Sequence, residues 1–159
     1  MRRPKFSFAG IMLVLTLPML AMAADATDPA LGTWKLDVAK STYHGVPAPK
    51  SETRIYESTA DGMKLTTKTE TASGEKGGTE ATYKYDGKDY SISGSKLFDT
   101  VAVSRVDSHT SKSVLKKGGK EVGHFSRVVS HDGNSLTTTT KVTGPGGESI
   151  SEKQVYTKQ

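Results

Sequence analysis

The chain has no cysteine in its 159 residues. That excludes disulfides, a lipid anchor on a cysteine, a thiol nucleophile and a thiolate metal site. Histidine is scarce, and none of His44, His109, His124 and His131 stands at the His-x-His or His-x-x-x-His spacing that directs two imidazoles at one metal. No Gly-x-Ser-x-Gly elbow accompanies them, and no Lys-Ser/Thr follows the Gly-rich stretches, so neither a nucleophile elbow nor a phosphate loop is written in the chain. His109 and His131 fall in turns; His124, beside Phe125, is the one histidine expected to be buried. Asp99, Asp107 and Glu152 are acids that spacing alone does not pair. The expectation is a protein without metal or cofactor and without a visible catalytic constellation.

Long apolar runs are also missing, apart from one near the start. Arg2, Arg3 and Lys5 precede a mostly apolar stretch over 6–22, interrupted by Ser7, Gly10, Thr16 and Pro18 and followed by Ala21-Met22-Ala23. A basic segment, a short apolar segment and a small-x-small site are the parts of a secretory signal. Residues 1–23 are therefore expected to be a cleavable signal peptide and 24–159 a single domain, exported to the periplasm or the exterior of a bacterial cell, with no stable membrane anchor after cleavage. The formal charge of +5 shrinks once those three basic residues leave, to 19 basic against 17 acidic residues. A nearly neutral domain offers no electrostatic footprint for nucleic acid or an anionic membrane.

Helix signals are nearly absent too. The one candidate, 36–41, is too short and uncapped to stand alone. Turn signals recur instead: Asp61-Gly62, Asp86-Gly87 and Asp132-Gly133, with longer Gly-rich connections over 73–78, 117–120 and 143–147. Between them lie runs rich in Thr, Val, Tyr and Ile, which suit a pleated surface. Ten strands are predicted, over 33–37, 51–58, 63–72, 79–85, 89–93, 100–107, 110–116, 121–130, 134–142 and 149–157, with 38–50, containing Pro47 and Pro49, as an extended loop. Short connections join antiparallel neighbours, and ten strands with one buried face close on themselves and remove their edges. The expected fold is all-β: one antiparallel up-and-down barrel. Arg54-Ile55-Tyr56 and Arg127-Val128-Val129 each lead into an Asp-Gly turn and a Thr-rich return strand, an echo that ordinary hairpin chemistry also accounts for.

Alternation sets the inner face. Met63, Leu65, Thr67, Thr69 and Thr71 share one face of their strand, Ala81, Tyr83 and Tyr85 of the next, and Leu136, Thr138, Thr140 and Val142 of another. Over 149–157 neither Ile150, Glu152, Gln154, Tyr156 nor the opposite set is cleanly apolar. Such an interior, rich in Thr and Tyr, leaves hydroxyls that cost ~1–3 kcal/mol each when unpaired, and water or a ligand would satisfy them. Arg105 falls in line with Val101 and Val103, where a buried guanidinium needs a carboxylate or an anionic ligand. In the opposite register Ala102, Ser104 and Val106 point in and Arg105 meets water. Arg127, alternating with Phe125 and Val129, raises the same question, and Asp107 is a candidate partner for either.

Two short motifs resemble a known family. Gly32-Thr33-Trp34-Lys35-Leu36 is similar to the Gly-x-Trp start of the calycins, the lipocalins and fatty-acid-binding proteins, in which the Trp closes the barrel floor. Gln154-Val155-Tyr156-Thr157-Lys158 resembles the last strand of the fatty-acid-binding branch, where an Arg-x-Tyr pair holds a ligand carboxylate; here Gln154 stands at the Arg position and Tyr156 matches. The same ends resemble small secreted bacterial β-barrel proteins. The resemblance implies a lipocalin-like barrel closed at Gly32 and Trp34, and a non-enzymatic protein that holds a small apolar or amphipathic molecule in the barrel or at its mouth. Met63, Leu65, Tyr83, Tyr85 and Tyr156 are the expected contacts, with Arg105 as an anion anchor. The alternative is an envelope interaction module, an inhibitor or assembly factor, acting through loops 43–50 or 94–99 with Phe98 exposed.

Overall fold

The computed structural model describes residues 27–159; the signal-peptide assignment to 1–23 lies outside them. Every regular element among the described residues is a strand. In chain order these are β1 (Gly32–His44), β2 (Ser51–Thr59), β3 (Gly62–Glu70), β4 (Lys76–Gly77), β5 (Glu80–Tyr83) and β6 (Asp86–Ser93). They continue with β7 (Thr100–Arg105), β8 (Thr110–Lys117), β9 (Lys120–Val129), β10 (Ser135–Thr143) and β11 (Ser149–Lys158). Each of the longer strands pairs antiparallel with its predecessor, β3 with β5 across the two-residue β4, and β1 pairs with both β2 and β11. The ring is closed, a ten-stranded up-and-down barrel with β4 as a short appendage on β3, the architecture the calycin resemblance implies.

β1 differs most from its expected extent. It does not stop at residue 37 but runs to His44, taking in the weak helix candidate and the start of the expected loop. Pairing with β11 jumps from Asp37↔Val155 to Thr42↔Lys153, so 38–41 form a bulge opposite Gln154. The Ser41 hydroxyl donates to the Asp37 carbonyl at 2.7 Å and accepts the Val155 N–H at 3.0 Å, which braces the bulge. A strand that must bend round a barrel gains curvature there.

Alternation places the side chains as expected. Trp34, Tyr56, Leu136 and Tyr156 are among the most deeply buried, each stabilising by roughly 1.5–3 kcal/mol through area removed from water. On β11 the ambiguous choice resolves to Ile150, Gln154 and Tyr156 inside. On β7 it resolves to Val101 and Val103 inside, with Ala102 also covered.

The two barrel ends differ. One carries connections 45–50, 71–79, 94–99, 118–119 and 144–148 and is the loop end. The other carries the segment 27–31 and connections 60–61, 84–85, 106–109 and 130–134. The wall is thinnest at the four-residue β5, which pairs with β6 at two positions only. Thr67 spans the neighbouring seam: its N–H donates to the Thr79 carbonyl, and its hydroxyl accepts the Thr79 N–H at 2.7 Å and meets the Thr79 hydroxyl at 2.9 Å. Glycine is required here, because a Cβ on Gly78 would strike the Thr67 carbonyl and one on Gly94 the Gly78 carbonyl.

Candidate functional site

Two inward-facing arginines organise the interior, one near each end. Arg127, on β9, is 2 % exposed. Its Nη2 donates to the Tyr85 hydroxyl at 2.8 Å and its Nη1 to the Tyr83 hydroxyl at 3.4 Å, while the guanidinium lies over the Tyr56 ring at 4.8 Å. Asp28 completes the group. Its Oδ2 accepts from the Tyr85 hydroxyl and from Arg105 Nη2, both at 2.6 Å, and its Oδ1 accepts the Ala30 N–H at 2.9 Å and stands 3.8 Å from Arg127 Nη2. Burial raises the Asp28 pKa, but the Tyr85, Ala30 and arginine contacts outweigh it and hold the carboxyl below its ordinary range. Trp34, wholly buried, donates its indole N–H to the Ala30 carbonyl at 2.8 Å. Segment 27–31 is thereby tied to the barrel floor, and this end is sealed.

Arg105 belongs to that seal and not to the interior. It continues the Val101–Val103 face, but β7 ends at Arg105, so the side chain emerges at the rim, 35 % exposed, over the Tyr85 ring at 3.9 Å. Its carboxylate partner is Asp28, not Asp107. Met63 and Tyr85 also sit at this end, Met63 beside Tyr83 in the β3–β5 register.

Above the seal, toward the loop end, lies a cavity of about 170 Å³. Leu65, Ala81, Tyr83, Ile92, Val101, Val103, Leu115 and Phe125 supply its apolar wall; Thr67, Thr69, Thr79, Ser111, Ser113 and Thr140 supply hydroxyls. Of the residues expected to touch a ligand, Leu65 and Tyr83 reach this wall, whereas Met63, Tyr85, Arg105 and Tyr156 do not. Phe98, expected to be exposed, is half-buried, packs on the core and lines the cavity. Gly94, at φ +84°, starts the 94–99 turn that folds it inward, and the Ser95 hydroxyl accepts the Leu97 and Phe98 N–H groups. His124, expected to be buried, points outward, 66 % exposed and paired with Glu121 at 3.2 Å. It shares the outer parity of β9 with Val128, opposite Phe125 and Arg127.

The second arginine, Arg54, is the residue that sequence reading missed. Glu52, Arg54 and Tyr56 alternate along β2 and face inward together; the Glu-x-Arg-x-Tyr spacing was the available signal. Arg54 Nε donates to Glu52 Oε1 and to the Tyr156 hydroxyl, each at 2.9 Å, and the Tyr156 hydroxyl donates to the same Glu52 oxygen at 2.8 Å. The Thr69 hydroxyl donates to Glu52 Oε2 at 3.2 Å. Three donors on two oxygens are what a carboxylate anion accepts. Tyr156 stands behind this group and holds it: burial, then the Glu52 charge, pushes its phenol well up, so it stays a donor. Burial alone would lower the Arg54 pKa, but Tyr156 and Glu52 beside it raise it, and the guanidinium keeps its charge.

Arg54 Nη1 and Nη2 have no hydrogen-bond partner among the described residues. Nor are they sealed in, because the buried polar atoms without a partner are Tyr43 Oη, Tyr56 Oη and Arg127 Nε. The side chain keeps 11 % exposure, lines the cavity and lies between the Phe125 and Tyr156 rings at 5.5 and 5.3 Å. A cation with two unspent donors therefore forms part of the wall of a mostly apolar space. Gln154 is buried and accepts from the Thr138 hydroxyl at 3.4 Å. The cation beside Tyr156 comes from β2.

No family model matches the chain, and no curated protein does. Among solved structures the chain is similar to zebrafish ileal bile acid-binding protein complexed with cholic acid. The identity is 12 %, the match covers 82 % of this chain and 99 % of the other, and the TM-score is 0.49.

Proposed function

We propose that this protein is an exported, non-enzymatic binding protein that takes a small apolar or amphipathic molecule into the barrel from the loop end. The observation that carries the reading is Arg54, which spends its Nε within the protein, has no partner for either Nη among the described residues, and lines a cavity whose wall is mostly apolar. Pockets for small ligands combine such walls with a few fixed polar groups. A guanidinium held by its Nε on Glu52 and Tyr156 is pre-oriented, so little further ordering is needed on binding. The volume bounds the occupant. A cavity of ~150 Å³ takes benzene, and drug-sized pockets run to ~300–1,000 Å³, so about 170 Å³ suits one ring or a short chain. Export rests on the basic, apolar and small-residue pattern of 1–23.

Native mass spectrometry of the protein recovered from its own cells tests the binding role. A stoichiometric small molecule, lost in Arg54→Met, is the expected result. A barrel recovered empty that also fails to take up ring-sized compounds overturns the reading. Fractionation of those cells, with N-terminal sequencing, tests export: the mature chain should start at Ala24 and lie outside the cytoplasm.

A further inference from the structure

Resting on that reading, we propose that the cavity discriminates by charge: it prefers uncharged ligands bearing a carbonyl or hydroxyl oxygen over carboxylates of the same shape. Arg54 is the cation that lines the cavity, and its charge is already matched. Glu52 lies 2.9 Å from its Nε, with both side chains nearly buried. At that burial the pair is poorly screened, and its net field on a nearby group is close to that of a dipole. A second acid stands on the same inner face. Glu152, two residues before Gln154 on β11, is half-buried, and burial, followed by repulsion from Glu52, raises its carboxyl pKa, with Arg54 pulling the other way.

An incoming carboxylate would therefore shed its hydration to meet one cation whose charge Glu52 already matches, with Glu152 outside the wall but near enough to feel both. That is a poor exchange in a low-dielectric space. A neutral carbonyl or hydroxyl oxygen sheds far less water and still accepts charge-assisted hydrogen bonds from Nη1 and Nη2. The threonine and serine hydroxyls of the wall, which both donate and accept, suit a neutral amide or alcohol further. The remaining ionisable groups lining this space, Tyr56 and Tyr83, are phenols and add no positive charge. Arg127, beneath the cavity, does not line it and has both Nη groups on the Tyr83 and Tyr85 hydroxyls, so it offers an incoming carboxylate no direct contact.

The test uses benzamide, benzyl alcohol and benzoate, one ring with three head groups, titrated into the purified protein at neutral pH by calorimetry or ligand-observed NMR. Benzamide and benzyl alcohol are expected to bind at least tenfold more tightly than benzoate. Glu52→Gln, which keeps an acceptor but removes the charge, should raise the ratio of benzoate to benzamide affinity at least tenfold. Benzoate equal to or tighter than benzamide on the native protein overturns the proposal, as does a Glu52→Gln protein with an unchanged ratio. If Glu52→Gln does not fold, the ratio on the native protein decides alone. Failure of all three compounds to bind overturns the cavity reading and this proposal with it, whereas carboxylate preference leaves the binding role standing.

Discussion

The β2–β3 and β9–β10 hairpins each put one arginine on the inner face, and in both it sits across from a threonine, Arg54 opposite Thr67 and Arg127 opposite Thr138. Both guanidiniums lie against aromatic rings. Their unspent donors differ. Arg127 commits Nη1 and Nη2 to two tyrosine hydroxyls and leaves only Nε, sealed inside. Arg54 commits Nε and leaves both Nη groups unpaired on a side chain that lines the cavity. A buried arginine is thus not in itself a site. One is a rivet of the barrel floor, and the other keeps donors available to a ligand.

The sharpest test of that contrast is Arg127→Met, which strands the Tyr83 hydroxyl and removes a charge beside Asp28. It should cost about 3 kcal/mol in urea denaturation. The matched change at the other end, Arg54→Met with Glu52→Gln, removes both charges together while keeping an acceptor for Tyr156 and Thr69, and should cost within about 1 kcal/mol. Equal losses at the two ends would erase the distinction between rivet and site.

Tyr156→Phe should cost about 1–2 kcal/mol, because Glu52 loses a donor in a buried setting. It should also weaken ligand binding by freeing the Arg54 guanidinium to turn. A variant that binds as tightly as the native protein would show that Tyr156 does not position Arg54.

The acids at the two ends should respond to pH with opposite signs. Asp28 has a depressed pKa, so its contribution is fully present above the unfolded value of about 3.9 and is lost as pH falls through the folded value. Asp28→Asn should therefore cost about 1 kcal/mol at neutral pH and progressively less in acid. The Glu152 pKa is raised, chiefly by burial, so its ionised form opposes folding above the folded value and that penalty fades as pH falls through it. Glu152→Gln should stabilise by about 0.5 kcal/mol at neutral pH, with the gain fading in acid. Thermal melts across pH 3–8 measure both, and slopes of the same sign would contradict the assignment of these environments.

Much of the fold was legible along the chain because strands announce themselves locally. Gly and Asp at turns, and Thr, Val and Tyr between them, are short-range preferences, and a period of two assigns the inner face of β3, β5 and β10 without any long-range knowledge. The errors fall where a contact distant in sequence intervenes. The bulge in β1 is held by Ser41 against Val155, a partner 114 residues away. Phe98 turns inward because the cavity accepts it. His124 points out because the register of β9 is set by Phe125 and Arg127 inside.

The site divides in the same way. From the chain alone follow the closed antiparallel barrel, its Thr- and Tyr-rich interior and the placement of Trp34 and Tyr156 on adjoining strands, since all of these depend on local pattern and short connections. Which arginine would stand free did not follow. Asp28 reaches Arg105 across 77 residues and Tyr85 across 57, and Arg54 reaches Tyr156 across 102. Closing the barrel brings those partners within hydrogen-bond range, and the donors they consume decide where the protein is sealed and where it remains open.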